Sequence, residues 1–282
     1  MSTIAITGAT GFVGSHLRPA LEAAGHDVRP LSVRSGISPA DVSGAAAVIH
    51  LAGESVSGRW TAKKRTAILE SRRTGTRAVV DAIGAAQEPP SVLLCASAVG
   101  FYGDRGDAEL TEDAPAGGGF LSEVCQVWEA EAARAAEHGA RVASLRFGII
   151  FARDSEAFRR LVQPARLGLG GPMGSGRQWW PWVHIDDIVG VALAALADER
   201  YAGPVNVTAP APERQRDVSR ALGRVLHRPA FLPAPRFALK LLLGGFEAEL
   251  IGSRRALPAK ASSLGYTFAH PALEPALQDL TR

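Results

Sequence analysis

The chain has 282 residues, 46% hydrophobic and 21% charged, enough for a sizeable core in one large domain or in a domain with an appendage. Its formal charge of +3 comes from 31 basic and 28 acidic side chains spread along the chain, with no basic run interleaved with aromatics, so nucleic acid is not an expected partner. Two cysteines, Cys95 and Cys125, are too few for a disulfide framework and have no metal-ligand spacing. No apolar run approaches the roughly 20 residues that span a bilayer, and a cytoplasmic protein with no metal and no membrane partner is expected.

Strand-like and helical patterns alternate through the first half. Ile4–Thr7 reads as a strand and Gly11–Ala24 as a helix ending at Gly25. Val28–Val33 is a second strand, Ala47–Ala52 a third, and Ala62–Ala86 a long helical stretch. Val92–Ala98 is a fourth strand, Leu121–His138 a helix and Val142–Phe151 a fifth strand. Such alternation, with near-continuous apolar strands, predicts an α/β fold: a doubly wound, Rossmann-type parallel sheet covered on both faces.

After Phe151 the rhythm breaks. A glycine-rich loop, Leu167–Trp182, leads into "VHIDDIVGVALAAL", a helix with Asp186 and Asp187 at its positive end. From about Asn206 the chain holds a helix around Asp217–Leu226, a proline-rich connector, a further helix and an irregular tail. The expected division is a dinucleotide-binding domain over 1–155, to which 183–205 returns. Residues 156–182 and 206–282 would form a smaller, mixed substrate-side lobe over the carboxyl ends of the strands.

The stretch "TIAITGATGFVGSHL" carries Gly8, Gly11 and Gly14 between a strand and a helix, the context in which such glycines mark a phosphate turn. Gly8 allows the tight turn, Gly11 close backbone approach to a pyrophosphate and Gly14 close packing of the helix. Thr10, Phe12 and Val13 complete the cradle at the helix N-terminus. A binder of NAD places an acid at the end of the second strand, for the ribose 2′-hydroxyl. Here that place reads "LSVRSG", with Ser32 and Arg34 and no acid. Arg34 suits a 2′-phosphate, so the expected cofactor is NADP(H).

With these pieces placed, the chain resembles the extended short-chain dehydrogenase/reductase superfamily, and within it the atypical branch labelled NAD-dependent epimerase/dehydratase, which carries a C-terminal domain of unknown function. The resemblance covers nearly the whole chain. It rests on "TGATGFVGSHL", "VIHLAGESV", "SAVGFYGDRG", "RLGLGGPMGSGRQWWPWVHIDDIV" and "LPAKASSLGYTF". It implies that Leu51, Ala52 and Gly53 contact the cofactor through backbone, with Arg72 a further cofactor or site contact. His50 reads instead as a core histidine at a strand end. The twelve residues from Ser35 to Ala46 are too few for the additional strand and full helix that relatives carry, which implies a trimmed, more open adenine side.

Superfamily chemistry runs through a Tyr-x-x-x-Lys pair, because a free phenol, with a pKa of about 10, is a poor base near neutrality. Ser97 stands where the superfamily serine belongs, beside the cofactor and the reacting atoms. Leu121 and Cys125 (or, one residue earlier, Phe120 and Val124) stand where Tyr and Lys are expected, and neither pair can shuttle a proton as Tyr–Lys does. Tyr102 is a candidate acid/base; Glu123 and Cys125 are weaker ones. Arg146, Arg177, Gln178 and Trp182 are candidate substrate contacts. His184 reads as a structural partner of the Asp pair.

The resemblance implies an NADP(H)-dependent epimerase, dehydratase or reductase acting on a small polar substrate, a nucleotide sugar being one such, in a monomer or homodimer. The missing dyad supports the alternative, a non-catalytic NADP(H)-binding sensor or interaction protein.

Overall fold

In the computed structural model, which describes residues 2–282, six parallel strands form the central sheet. They are β1 (Thr3–Thr7), β2 (Asp27–Leu31), β3 (Ala47–His50), β4 (Val92–Ala98), β5 (Arg141–Phe147) and, after two short strands named below, β8 (Gly203–Val207). Their spatial order is β8-β5-β4-β3-β1-β2. From β1 the chain runs outward to β2, then crosses back to β3 on the other side of β1. This reversal opens a crevice at the carboxyl ends of β1 and β3, the place where open sheets bind ligands. Pro30 is tolerated in β2 because that strand is an edge.

The inner strands β1, β3, β4 and β5 are buried on both faces, and their side chains sort by the period of two. Ile4 and Ile6 of β1 pack with α1 (Phe12–Ala23) and α5 (Ile185–Ala197), through Leu17, Leu21, Ile188 and Val191. Ala5 points the other way, toward α2 (Ala62–Ala85) and α3 (Phe120–Ala133), into a cluster with Val79, Val80, Ile83 and Trp128. A third apolar cluster lies apart from the sheet. It joins α4 (Glu156–Arg166), α6 (Gln215–Leu226) and α8 (Leu273–Thr281) through Phe158, Leu222 and Leu277. The amphipathic helix α7 (Arg236–Leu243) buries only Leu239 and leaves Phe237, Leu241 and Leu242 exposed.

Three expectations change in detail. The second strand ends at Leu31, and Val33–Ser35 is a tight helical turn. The run read as one fifth strand is broken at Gly148, where a Cβ would come within 2.2 Å of the Pro181 carbonyl oxygen. Its continuation, β6 (Ile149–Phe151), leaves the main sheet and pairs with β7 (Trp182–His184). The sixth strand, β8, was not read from the sequence; "GPVNV" is short and lacks a strand's usual bulk. Ser35–Ala46 holds a single four-residue helix, Pro39–Val42, in line with its shortness.

Candidate active site

The glycines shape the crevice floor. Gly8 has φ +74°, and a Cβ there would lie 3.0 Å from backbone atoms of Leu51 and Ala52, so only glycine lets the β1 turn press against the end of β3. A Cβ on Gly14 would fall 2.2 Å from the Gly8 oxygen. Gly11 caps α1 without a side chain, which leaves the first N–H groups of the helix free for phosphate oxygens. Thr10 is exposed beside them. The Phe12 and Val13 side chains pack on the core and offer the crevice only backbone.

The end of β2 carries Ser32 and Arg34, both exposed, on the tight turn that Val33 anchors against Gly75 of α2. No acid stands there. Leu51 donates its N–H to the Thr7 oxygen at 3.1 Å and begins the Leu51–Gly53 wall of the crevice. Beneath it His50 is fully buried, bonded through Nδ1 to Thr7 Oγ1 at 2.6 Å and through Nε2 to Thr76 Oγ1 at 3.1 Å. Burial, with the Arg72 charge adding to it, lowers its pKa to about 4, so His50 is neutral and structural, as expected for a strand-end core histidine.

At the end of β4 the Ser97 hydroxyl donates to Glu129 Oε1 at 2.6 Å. Arg146 on β5 grips the same carboxylate with Nε and Nη2, each at 2.8 Å. The chain continues inward: Arg146 Nη1 donates to the Tyr102 hydroxyl at 2.8 Å, and that hydroxyl donates to Asn206 Oδ1 at 2.7 Å. Asn206, on β8, then donates its backbone N–H to Glu112 and its amide to the Leu110 and Leu257 oxygens. Arg146 also lies over the Phe101 ring, 3.6 Å from its centroid.

This placement corrects two site assignments. Tyr102 is fully buried, and burial raises its phenol pKa, so it is a link in the interior network and not a free acid or base. Arg146 is buried with every nitrogen engaged, so it holds Glu129 and presents no free edge to a substrate.

Two further candidates are interior as well. Gln178 donates its amide to the Met173 and Leu250 oxygens, and Trp182 lies in the third apolar cluster with its indole N–H on the Ala211 oxygen. Arg177 alone of the four candidate substrate contacts has an exposed side chain. His184 caps α5 by accepting the Asp186 N–H at 3.2 Å, the structural bond expected of it.

The face of α3 toward the crevice reads Leu121, Cys125, Glu129, one residue per turn. Cys125 is buried, its thiol pKa pushed up to about 11 by burial and then by Glu129, so it remains a thiol. Glu129 is a site residue that the sequence does not single out. Its i+4 spacing from Cys125 is the signal that places it in the site. Across this face, Arg72 projects from α2 under Gly53, where a Cβ would come within 2.9 Å of its guanidinium carbon, and its cation lies over the Trp128 ring at 4.9 Å.

Residues 4–208 match the family described as NAD dependent epimerase/dehydratase family, and residues 234–280 match a domain of unknown function, DUF1731. Epimerase family protein SDR39U1 homolog, chloroplastic, of Arabidopsis thaliana is 37% identical, over 98% of this chain and 86% of that protein. Epimerase family protein YfhF of Bacillus subtilis is 36% identical, over 98% and 97%. Human epimerase family protein SDR39U1, solved with NADPH, superposes with a TM-score of 0.92 at 30% identity, covering 99% of this chain and 98% of the human one. A nucleoside-diphosphate sugar epimerase from Corynebacterium glutamicum superposes with a TM-score of 0.80 at 30% identity, covering 99% of this chain and 58% of that one.

Proposed function

Because the chain belongs to the NAD dependent epimerase/dehydratase family, we propose that it binds NADP(H) between Gly8–Gly14 and Leu51–Gly53 and serves as an oxidoreductase or epimerase of a small polar substrate. The uncapped N-terminus of α1 over a cradle that any Cβ would fill fits a dinucleotide, and Ser32 and Arg34 at the end of β2 fit its 2′-phosphate. The human relative solved with NADPH supports the same choice. The Corynebacterium relative supports a nucleotide sugar as substrate. The third apolar cluster supports a substrate-side lobe built from 156–182 and 206–282, with Arg177 at its exposed face.

The observation that carries the catalytic part is the 2.6 Å bond between Ser97 and Glu129. When bound, the nicotinamide supplies or accepts the hydride. The chain then has to handle one proton, and Leu121 and Cys125 cannot. Ser97 accepts the proton of a substrate hydroxyl at Oγ while passing its own to the Glu129 carboxylate. In the reducing direction the two transfers reverse. Arg146 fixes the carboxylate with a bidentate grip, so that Oε1 is held against Ser97.

The test is a screen of small carbonyl compounds and nucleotide sugars for NADPH oxidation and for epimerisation. The proposal expects turnover that Ser97→Ala and Glu129→Gln each lower at least a hundredfold with cofactor affinity retained. Turnover untouched by both variants would refute the relay. A protein that binds NADPH yet turns over nothing would support the second reading, a cofactor-holding sensor, which the Leu121–Cys125 pair favours.

A further inference from the structure

One buried arginine at the crevice has a partner for its charge: Arg146 presents its Nε–Nη2 edge to both oxygens of Glu129. Arg72 differs. It is 8% exposed, and Nη1 alone does its bonding, to the Glu54 oxygen, to the Ile68 oxygen at 3.4 Å and to Ser71 Oγ at 3.2 Å. Among the described residues Nε is buried with no partner, and Nη2 makes no hydrogen bond and is not closed off from solvent.

Among the described residues no carboxylate is hydrogen-bonded to this cation. The Glu54 side chain is bonded to Lys64 at 2.6 Å, and the neighbouring Cys95 and Cys125 thiols are held protonated by burial. A buried cation left without its counter-charge is costly, and Nη2 is the nitrogen that a carboxylate can reach.

The position narrows what can fill it. Arg72 lies on the α2–α3 side of the sheet, against Trp128, whereas the phosphate cradle belongs to α1 on the opposite side. Trp128, under the Arg72 guanidinium, immediately precedes Glu129, the partner of Ser97, and Gly53 of the crevice wall lies against the same guanidinium, so Arg72 and the Ser97 hydroxyl sit at one end of α3 beside that wall. We propose that Arg72 is the receptor for a carboxylate carried by the substrate, held beside the carbon whose oxygen meets Ser97. This rests on the oxidoreductase reading and gives it a substrate class, a hydroxy- or oxo-carboxylate or a sugar acid.

The test is calorimetric titration of pyruvate, malonate and inorganic phosphate into NADPH-loaded protein, for the wild type, Arg72→Lys and Arg72→Gln, with thermal unfolding of each. The wild type is expected to bind the carboxylates in preference to phosphate. Arg72→Gln should weaken carboxylate binding at least tenfold, and Arg72→Lys should keep part of it, while NADPH affinity changes less than threefold in both. Where Arg72→Gln fails to fold, Arg72→Lys decides, because it keeps the charge and loses the fork.

Carboxylate binding that is absent in the loaded wild type, or unchanged by the substitutions, would overturn the proposal. So would preference for phosphate, or a loss that falls on NADPH. If the wild type takes up no NADPH, the functional reading fails on its own, and the same titrations on unloaded protein still read Arg72.

Discussion

Ser97 and Glu129 come from different elements 32 residues apart, and their side chains meet at 2.6 Å at the carboxyl end of the sheet. The contact exists because β4 and β5 run side by side, Ser97 opposite Arg146, and α3 lays Glu129 across both. The pair is therefore a product of sheet register as much as of local sequence.

The first prediction concerns stability. Arg146 is almost wholly buried, so Glu129→Ala would strand its charge and should cost about 3–5 kcal/mol by urea unfolding. Ser97→Ala removes one bond to that carboxylate and should cost about 1–2 kcal/mol. Replacing both partners, Glu129→Leu with Arg146→Met, should recover much of the larger loss. A cycle that is strictly additive would mean the ion pair does not organise this end of the sheet.

Gly14→Ala tests the cradle. Its Cβ would sit 2.2 Å from the Gly8 oxygen, a backbone atom that cannot swing aside, so α1 must lift from the turn. Overpacking of this kind costs about 1–3 kcal/mol, and NADPH affinity should fall at least tenfold. A variant that binds NADPH as tightly as the wild type would show that α1 does not receive the phosphates.

A pH prediction follows from His50. Its folded pKa is about 4, well below the usual 6.5, because burial opposes the charge. The unfolded chain therefore binds the extra proton first as pH falls. Stability is unaffected above about pH 6.5, declines between 6.5 and 4, and levels off below, for a total of ~3 kcal/mol from this group. Urea midpoints between pH 7 and 4 should show the decline, and His50→Gln should flatten it. An equal slope in both proteins would assign the decline to other groups.

Cys125 explains why the ordinary lysine cannot stand here. It is buried on the helix whose Trp128 lies under the Arg72 cation, and a lysine in its place would bury a second positive charge. Cys125→Lys should destabilise the fold by about 3 kcal/mol or more, whereas Cys125→Ala should cost about 1–2 kcal/mol. Equal thermal shifts for the two variants would contradict this account of the site's electrostatics.

How much of this was legible beforehand depends on how local each feature is. The glycine turn and the His50 core role could be read because each depends on a few consecutive residues at one strand end. Glu129 went unassigned and its partner Arg146 was assigned to substrate, since nothing in the sequence says that β5 places Arg146 beside Ser97. Tyr102 was misread for the same reason. Its partner Asn206 lies 104 residues away on β8, a strand too short and small-residued to be recognised. The break at Gly148 was missed because the apolar pattern continues through it while the backbone must make room for Pro181.

The most direct test of the account is a titration of NADPH and of NADH into the wild type and into Arg34→Ala. A charge-assisted contact to the 2′-phosphate is worth about 1.5–3 kcal/mol, so the wild type should bind NADPH at least tenfold more tightly than NADH, and Arg34→Ala should bring the two within about twofold. Equal affinity for both cofactors in the wild type, unchanged by the substitution, would contradict it.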